Sequence, residues 1–434
     1  MLRIAVVAPC PFPSARGSQV LMREVAEALA ARGHEVHVIA YPTGEHLVPI
    51  QGIVVHRPPA FGLRFWGRLP WVLRKCLWDV LLVVTVCRVV RRSKIQVIHA
   101  HNYEGPLVAL AARWMLGCPI VYHAHNVLSD ELPTYFSSRV GRRLAGWIGR
   151  WADRLVPRLA DAVVALSKAQ EEALLGCGVR KERIVVLPPL VPQADEVLGK
   201  SRADIGSLSG KFVIGYAGNF DGYQEIALLT RGYSIFRERY PSATLLIVTH
   251  DEDWATRAPR ELVALSGRGE AVVVVCRTFA ETRPWLRRAD VLVCPRSSWS
   301  GFPIKLLNFL VMDKPVVLSS GVARGIGWRD RATTFEAGRE VALANLLLRL
   351  VSDSSAMLAA VEAVREFVAQ LPSRRRIADE LERVLEGVVF PPQGSLAWQR
   401  GGRLDTDEDH LGVDTRVVAS YKPTDASREG EARA

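Results

Sequence analysis

Short runs of apolar residues alternate with longer helical patterns along most of the chain. The runs are rich in Val and Ile and lack polar alternation, which is typical of strands buried on both faces. Such strands belong to parallel sheets covered by helices, so the pattern predicts a doubly wound α/β architecture. The predicted strands are Arg3–Ala8, Glu35–Ala40, Ile95–Ala100, Pro119–His123, Asp161–Leu166, Phe212–Ala217, Ala243–Val248, Ala271–Val275, Asp290–Cys294 and Pro315–Leu318.

A proline-rich stretch divides this pattern into two halves. Leu187-Pro188-Pro189-Leu190-Val191-Pro192 and the polar segment that follows it to Gly210 predict an interdomain linker. We therefore expect one Rossmann-like domain over residues 1–195 and a second over 205–372. Ligands of such sheets bind beyond the carboxyl ends of the strands, which places a ligand in the cleft between the domains. Residues 391–434 have few apolar positions and are predicted to be disordered.

Composition agrees with a two-domain globular protein. The chain has 434 residues, of which 49% are hydrophobic and 23% are charged, and this length exceeds what one core usually supports. The seven cysteines form no Cys-x-x-Cys pair, so we interpret them as reduced thiols of a cytoplasmic protein. The first apolar run is too short for a signal peptide. No run reaches the roughly 18 apolar residues of a membrane span.

The net charge of +11 is unevenly distributed. Between residues 61 and 94, Asp79 is the only acidic residue, and basic and aromatic residues are interleaved on a helical period. This pattern is typical of a helix that lies on an anionic membrane surface. The alternative is a core helix with a solvated basic face. Nucleic acid is not expected as a partner, because no known reader motif accompanies the charge. The aromatic residues are Phe61, Phe65, Trp66, Trp71 and Trp78.

The segment from Ser300 to Met312 carries the first candidate chemistry. It follows a predicted buried strand, and Pro303 suits the first position of a helix because its fixed φ is helical. A glycine turn that opens a helix collects free backbone N–H groups and the positive end of the helix dipole, which favours an anion. Lys305 and Asn308 share one face of that helix. The segment therefore predicts a phosphate site, with an ordinary buried strand-turn-helix as the alternative.

A similar turn follows the first strand. Gly17 allows the backbone to approach a ligand closely, and Ser18 is a plausible N-cap of the next helix. That helix ends at Arg32-Gly33-His34, where the glycine suits a helix C-terminus.

An ordered set of motifs resembles one known family, the family-4 glycosyltransferases of GT-B architecture. The likeness covers roughly residues 3–390. It implies two facing Rossmann-like domains, with the helix over 373–390 crossing back to the first. It also implies transfer of a sugar from a nucleotide-sugar to an acceptor, with retention and without a bound metal. The motifs are Arg32-Gly33-His34-Glu35-Val36, Gln96-Val97-Ile98-His99-Ala100-His101-Asn102, Pro119-Ile120-Val121-Tyr122-His123-Ala124-His125-Asn126, Ala165-Leu166-Ser167-Lys168, Gly215-Tyr216-Ala217-Gly218-Asn219, Ala289-Asp290-Val291-Leu292-Val293, Gly301-Phe302-Pro303 and Lys314-Pro315-Val316-Val317.

The resemblance assigns roles to the candidate residues. His125 stands where the family has a histidine that faces the transferred sugar. His101, Asn102 and Glu104 lie on the acceptor side. Sugar transfer needs stabilisation of the diphosphate leaving group, which helix N-termini and cations can supply without a divalent ion. The residues expected to clasp the diphosphate are Gly17, Ser18, Gly301, Phe302, Pro303 and Lys305.

Four histidines lie within the second and third of these motifs: His99, His101, His123 and His125. Their spacing of two along predicted strands, without a set of carboxylate ligands, argues against zinc. We expect no metal and no cofactor. A histidine packed at a strand end remains the alternative at His123 and His125.

The chain departs from the family at its donor site. Ser300 and Asn308 stand where the family has two glutamates, one near the transferred sugar and one on the ribose. Asn219 and Gln224 stand where it has an arginine and a lysine that neutralise the diphosphate. We expect Ser300, with His125, to be a catalytic residue. We expect Lys305 and Arg296 to supply the positive charge in place of the missing cations.

We therefore predict a cytoplasmic, hexosyltransferase-type enzyme that binds peripherally to the inner face of a membrane through residues 61–94. Its expected donor is a nucleotide-diphosphate-sugar, and its expected acceptor is a lipid-linked glycan or a surface polysaccharide in biosynthesis. Two alternatives stay open: an inactive GT-B scaffold that binds nucleotide-sugar, and a nucleotide-sugar epimerase that needs no acceptor.

Overall fold

Seven parallel strands form the first sheet, in the order β3-β2-β1-β4-β5-β6-β7. The computed structural model describes residues 1–13, 17–43, 52–59, 71–190 and 208–391. The strands are β1 Arg3–Ala8, β2 Glu35–Ala40, β3 Ile53–His56, β4 Val97–His101, β5 Ile120–His123, β6 Ala162–Ala165 and β7 Ile184–Val186. The helices are α1 Gly17–Ala31, α2 Trp71–Arg92, α3 Glu104–Leu116, α4 Leu128–Glu131, α5 Arg139–Leu155 and α6 Lys168–Gly176. Short 3₁₀ helices cover Leu132–Tyr135, Val156–Leu159 and Lys181–Arg183.

Six parallel strands form the second sheet, in the order β10-β9-β8-β11-β12-β13. They are β8 Phe212–Ala217, β9 Ala243–Thr249, β10 Ala271–Val275, β11 Val291–Cys294, β12 Val316–Ser319 and β13 Thr334–Phe335. The helices are α7 Ile226–Arg239, α8 Trp254–Arg257, α9 Arg260–Gly267, α10 Phe279–Leu286, α11 Ile304–Leu310, α12 Ser320–Ile326, α13 Glu340–Ser352, α14 Ser354–Gln370 and α15 Arg374–Val389. A 3₁₀ turn covers Gly222–Gln224.

The predicted doubly wound α/β architecture is confirmed. All ten predicted strands are present, with ends that differ by at most two residues. The pattern missed β3, β7 and β13, which lie at three of the four sheet edges. Edge strands are short and bury less of each face, so they lack the continuous apolar run by which central strands are recognised.

The last helix, α15, packs on the first sheet rather than on the second. Ser373 caps it, since its Oγ accepts a hydrogen bond of 3.2 Å from the N–H of Arg376. The helix contacts α1, β4 and β5. His34 Nδ1 accepts from the N–H of Leu2 at 3.0 Å, which leaves its Nε2 to donate to Glu382 of α15 at 2.8 Å. The Arg-Gly-His motif therefore anchors α15 to the start of β1.

Helix α2 covers the opposite face of the first sheet. Trp78, Leu82 and Val86 are buried in the core, together with residues of α3. Burying each such side chain contributes about 1.5–3 kcal/mol. Trp78 belongs to the basic and aromatic segment at residues 61–94, which the sequence assigned to a membrane surface. The structure corrects that assignment for Trp78, because its side chain is buried, with 9% exposed.

The other aromatic side chains of that segment, those of residues 61, 65, 66 and 71, are not described by the structure. Residues 191–207 of the predicted linker and the tail from residue 392 also lie outside the described residues. Among the described residues, no single helix has the length and apolar character needed to cross a membrane. One pair of segments meets the requirement together, by length and composition only. It consists of α13 and the stretch Ser354–Val389, which are joined by a bend of 108°.

Candidate active site

The loop after β5 meets the loop after β11 at the carboxyl ends of the two sheets. A Cβ added to Gly301 would lie 2.5 Å from the carbonyl oxygen of His125, and Gly301 has φ of +71°. Both the space and the backbone conformation therefore exclude a side chain at this position. The contact brings the predicted diphosphate loop against the predicted sugar-facing histidine.

The N-termini of α1 and α11 converge beside this contact. A Cβ on Gly17 would lie 3.4 Å from the Cβ of Ile304, the first residue of α11. Two predictions about helix ends are corrected here. Because α1 begins at Gly17, Ser18 lies within its first turn rather than at the N-cap. Pro303 is the residue before α11, with ψ of 103°, and not its first helical residue. The convergence of backbone N–H groups that the sequence predicted is nevertheless present.

Lys305 of α11 extends its ammonium group into the loop that follows β8. Its Nζ donates to the hydroxyl of Tyr216 at 2.8 Å and to Oε1 of Gln224, and it lies 4.1 Å from the centroid of the Tyr216 ring. Burial lowers the pKa of Lys305 to about 8, with a smaller lowering by Arg296 and an opposing effect of Cys294. The charge is therefore held in place by a hydroxyl, an amide and an aromatic face.

Asn219 and Gln224, the two predicted donor residues of that loop, have different partners. Gln224 is buried and accepts from Lys305. The Asn219 amide donates to Asp221 at 2.5 Å, while its Oδ1 is buried and has no hydrogen-bond partner among the described residues. Asn308 is half-buried on α11, three residues beyond Lys305.

Arg296 organises the loop after β11 from within. It is 5% exposed, and its guanidinium donates to Ser298 Oγ at 3.1 Å and to the carbonyl oxygen of Ser300. The guanidinium carbon lies 5.3 Å from the centroid of the Tyr223 ring. Arg296 thus fixes the conformation of the turn that leads into Gly301, in addition to bringing a positive charge to the loop.

Ser300 joins the two loops instead of facing a sugar. It is fully buried, its N–H donates to Oδ2 of Asp130 at 3.1 Å, and its Oγ lies 3.4 Å from the carbonyl oxygen of Val127. Ser298 Oγ also donates to Asp130. The prediction of Ser300 as a catalytic residue is therefore corrected to a positioning role in this structure, since its side chain has no exposed surface. Phe302 is likewise buried, within the core.

A column of histidines, His99, His101, His123 and His125, runs along β4 and β5 to the cleft. Strand register sets His101 opposite His123. His101 Nδ1 lies 2.9 Å from His125 Nε2, and His123 Nδ1 lies 3.2 Å from His99 Nε2. His125 alone of the four is half-buried. It is therefore the member of the histidine column that is placed to meet a ligand.

Burial keeps these imidazoles neutral. It lowers the pKa of His125 to about 4 and that of His99 to about 3. The pKa values of His101 and His123 also fall well below the ordinary range, first through burial and then through neighbouring histidines. A neutral His125 can donate or accept one hydrogen bond per nitrogen but brings no positive charge to the site.

Among the described residues, one group has the geometry to hold a metal ion. His99, His101 and His123 offer ring nitrogens that all lie within 4.8 Å of one another, and each has one buried nitrogen without a hydrogen-bond partner. The donor set is three neutral imidazoles without a carboxylate, in the buried layer beneath the cleft. The expectation that the protein works without a metal stays a prediction.

The predicted acceptor residues are placed differently from one another. His101 is fully buried, so a direct acceptor contact is not available to it, and it can act only through His125. Asn102 follows β4 and lies in the left-handed region, with φ of +57°, a conformation that asparagine tolerates better than most residues. Glu104 is one-third exposed and accepts a hydrogen bond from Lys75 of α2.

Sequence reasoning missed Asp130, Tyr216 and Tyr223. Asp130 lies on the four-residue helix α4, which is too short for a periodic signal. Tyr216 occupies a buried strand position, where an aromatic residue is expected simply to pack in the core. Their roles arise from contacts across more than 70 residues of chain, for which no local signal exists.

Two family models match the chain, one to each sheet. The model described as Glycosyltransferase Family 4 matches residues 15–194, and the model described as Glycosyl transferases group 1 matches residues 211–353.

The chain is also similar, over most of its length, to proteins named as glycosyltransferases. It is 27% identical to a D-inositol 3-phosphate glycosyltransferase of Pseudarthrobacter chlorophenolicus, over 72% of this chain and 76% of that protein. It is 22% identical to a phosphatidyl-myo-inositol mannosyltransferase of Propionibacterium freudenreichii, over 81% of this chain and 87% of that protein.

Solved structures share the fold at lower identity. Sucrose-phosphate synthase from Thermosynechococcus elongatus superposes with a TM-score of 0.70 at 18% identity, covering 89% of this chain and 99% of that one. Anabaena HepE in complex with UDP superposes with a TM-score of 0.65 at 16% identity, covering 89% of this chain and 100% of that one.

Proposed function

We propose that this chain, which is a glycosyltransferase with the GT-B fold, is a retaining family-4 enzyme that works without a metal ion. Its donor is a nucleotide-diphosphate-sugar, which is bound between a first domain of residues 1–195 and a second of residues 205–372. The separate matches of the two family models, to 15–194 and to 211–353, support that division.

The position of Lys305 carries the proposal. Its Nζ donates to Gln224 and to Tyr216 in the loop after β8. In the family, residues of this loop supply the cations that neutralise the diphosphate, and here the corresponding positions are the neutral Asn219 and Gln224. Lys305 of α11 therefore supplies a positive charge beside this loop, where Asn219 and Gln224 are neutral. This supports an active donor site in spite of the substitutions.

The same residues account for transfer without a divalent ion. As the bond from the sugar to the diphosphate breaks, negative charge grows on the leaving oxygen. We infer that the N–H groups of Gly17, Gly301, Phe302 and Ile304 stabilise that charge, together with the Lys305 ammonium. His125 is placed to hydrogen-bond a hydroxyl of the sugar and, being neutral, does not repel positive charge that develops on the ring. Contact of the two loops at Gly301 excludes water, which would otherwise hydrolyse the donor.

We propose a lipid-linked glycan or a surface polysaccharide as the acceptor, at the inner face of a membrane. Among the relatives, one is named for phosphatidyl-myo-inositol and another is an α-monoglucosyldiacylglycerol synthase. Asn102 and Glu104, at the carboxyl end of β4, are the acceptor-side residues with exposed surface. The basic and aromatic residues between 61 and 94 are one candidate for the membrane contact of this proposal.

A catalytically inactive scaffold is the competing function, and the burial of Ser300 favours it. Ser300 and Asn308 replace two family carboxylates, and Ser300 has no surface to offer a sugar. A scaffold would still bind the donor, because Lys305 and the helix N-termini remain.

Donor binding and turnover separate these possibilities. Thermal shift with UDP, GDP, ADP and their sugars identifies the nucleotide, because a ligand of the native state raises its melting temperature. The bound donor is then incubated alone and with membrane lipid extract, and the products are analysed. Glycosylated lipid or glycan supports the proposal. Binding without turnover across acceptors supports the scaffold, and an altered donor in the absence of acceptor supports an epimerase.

A further inference from the structure

Helix α5 presents its large apolar side chains to solvent rather than to the protein. Trp147 is 61% exposed and Trp151 is 60% exposed. A surface helix normally turns such residues towards the core. The exposed residues recur at one helical face and are named here the outer stripe: Val140, Leu144, Trp147, Ile148, Trp151 and Leu155.

Close packing on the opposite side fixes this orientation. The buried face of α5 consists of small residues, among them Ala145 and Gly149. A Cβ on Gly149 would lie 2.5 Å from the Cα of Ser129, so α5 approaches α4 more closely than any side chain permits. Asp153 is buried and accepts from the N–H groups of Leu128 at 2.8 Å and Ser129 at 3.0 Å. Turning the outer stripe inwards would break these contacts.

The charges of α5 follow the outer stripe on one side. Arg139, Arg143, Arg150 and Arg154 recur at the same i, i+4, i+11 and i+15 spacing and form a basic row along one edge of the stripe. Asp153 is the only acidic residue of α5, which is described throughout, and it faces inwards. The exposed surface of the helix is therefore apolar and cationic without a compensating negative charge.

This combination matches an anionic lipid surface. Aliphatic side chains and tryptophans enter the boundary between headgroups and acyl chains, while arginines beside them contact lipid phosphates. A protein partner would also accept Trp and Arg, but its binding surface usually carries a polar rim of both charge signs.

We propose that α5 is an interfacial helix that seats this protein on an anionic bilayer. The helix packs against α4, whose Asp130 holds the loop of Ser298 and Ser300 at the cleft. Binding of α5 to a bilayer therefore brings the mouth of the site to the level of the headgroups. Only this consequence for the acceptor rests on the proposed function. Membrane binding itself does not require transfer.

Helix α2 offers a comparison within the same chain. It also exposes an apolar stripe, which includes Leu77 and Val80. Its exposed cations Arg88 and Arg91 lie beyond the end of that stripe instead of alongside it. Paired variants of the two helices therefore test whether the membrane contact belongs to α5 or to the segment at 61–94.

The experiment is co-sedimentation of the full-length protein with vesicles, in the absence of nucleotide. Vesicles of phosphatidylcholine alone are compared with vesicles that contain about 30% phosphatidylglycerol. We expect binding only to the anionic vesicles. Trp147→Ser/Trp151→Ser and Arg143→Glu/Arg150→Glu should each reduce the partition coefficient by about tenfold or more. Leu358→Ser, at an exposed leucine of α14, is the matched control and should leave binding unchanged.

Equal melting temperatures of all variants show that they fold, and a variant that melts early is replaced by Val140→Ser/Leu144→Ser. The proposal is overturned if the wild-type protein does not bind anionic vesicles. It is also overturned if Leu77→Ser/Val80→Ser abolishes binding while the α5 variants retain it. A concentration-dependent dimer that the α5 variants lose, without any vesicle binding, would assign the outer stripe to a second copy of the chain. Because no donor is present, failure here leaves the proposed transfer reaction untouched.

Discussion

Lys305→Gln should weaken the binding of UDP and remove most of its pH dependence. The glutamine keeps a polar group but loses the positive charge that α11 holds beside Tyr216 and Gln224. A charge-assisted hydrogen bond of this kind is worth about 1–3 kcal/mol, which corresponds to a roughly 5- to 150-fold rise in the dissociation constant.

The pKa of Lys305 sets the pH range. Burial lowers it to about 8, so Lys305 carries its proton in about 90% of molecules at pH 7 and in about 10% at pH 9. The terminal phosphate, whose second pKa is about 6, is already mostly ionised at pH 7. Because the anion binds the protonated form, affinity is highest below pH 8 and falls as the pH rises through 8. The dissociation constant should rise by about tenfold between pH 7 and pH 9, or about 1.4 kcal/mol.

Isothermal titration calorimetry of UDP at pH 7, 8 and 9 measures both effects. Lys305→Arg is the matched control, because arginine stays charged throughout and its affinity should not follow the same curve. An affinity that is equal at the three pH values, together with wild-type affinity in Lys305→Gln, would remove Lys305 from the donor site. A fall in affinity that persists in Lys305→Arg would assign the titration to another group.

Three further predictions concern the cleft and the histidine column. Gly301→Ala should lower the transfer rate by about tenfold or more, because its Cβ would meet the His125 carbonyl at 2.5 Å. Gly338→Ala is the control for backbone strain, since Gly338 also has a positive φ but a Cβ there would have no atom within 4 Å. An equal loss of rate in both variants would argue against a role for the loop contact. Because His125 has a pKa of about 4, its contribution should stay constant from about pH 5.5 to pH 7.5, and an inflection near 6.5 that His125→Ala abolishes would contradict a neutral imidazole. Transfer should survive EDTA, and elemental analysis of the purified protein should find less than about 0.1 zinc per chain; stoichiometric zinc would place a metal in the histidine column.

Local sequence was sufficient for the central sheet and for part of the site. Runs such as Arg3–Ala8 and Phe212–Ala217 were predicted with their observed bounds, because a strand buried on both faces is apolar at every position. Local sequence placed each helix N-terminus at the carboxyl end of its own strand. The convergence of Gly17 with the start of α11 was expected only from the resemblance to GT-B glycosyltransferases, which implies two facing domains.

Contacts between distant segments decided the rest of the site. Gly301 against His125, Asp130 under Ser300 and Lys305 beside Gln224 each join residues more than 80 positions apart. Such pairs depend on how the two sheets face each other, and the periodicity of apolar residues in the sequence carries no information about that arrangement. The sequence therefore predicted Ser300 at the site but not its burial.

The orientation of α5 shows the limit most clearly. Its sequence determines that Trp147, Trp151 and their apolar neighbours share one face, since helical periodicity fixes which residues lie together. Periodicity alone would turn that face towards the core. The tertiary structure reverses it, because Gly149 fits against Ser129 where no larger residue can, and because Asp153 finds its partners at the start of α4. Sequence determined the two faces of the helix, and packing decided which one meets solvent.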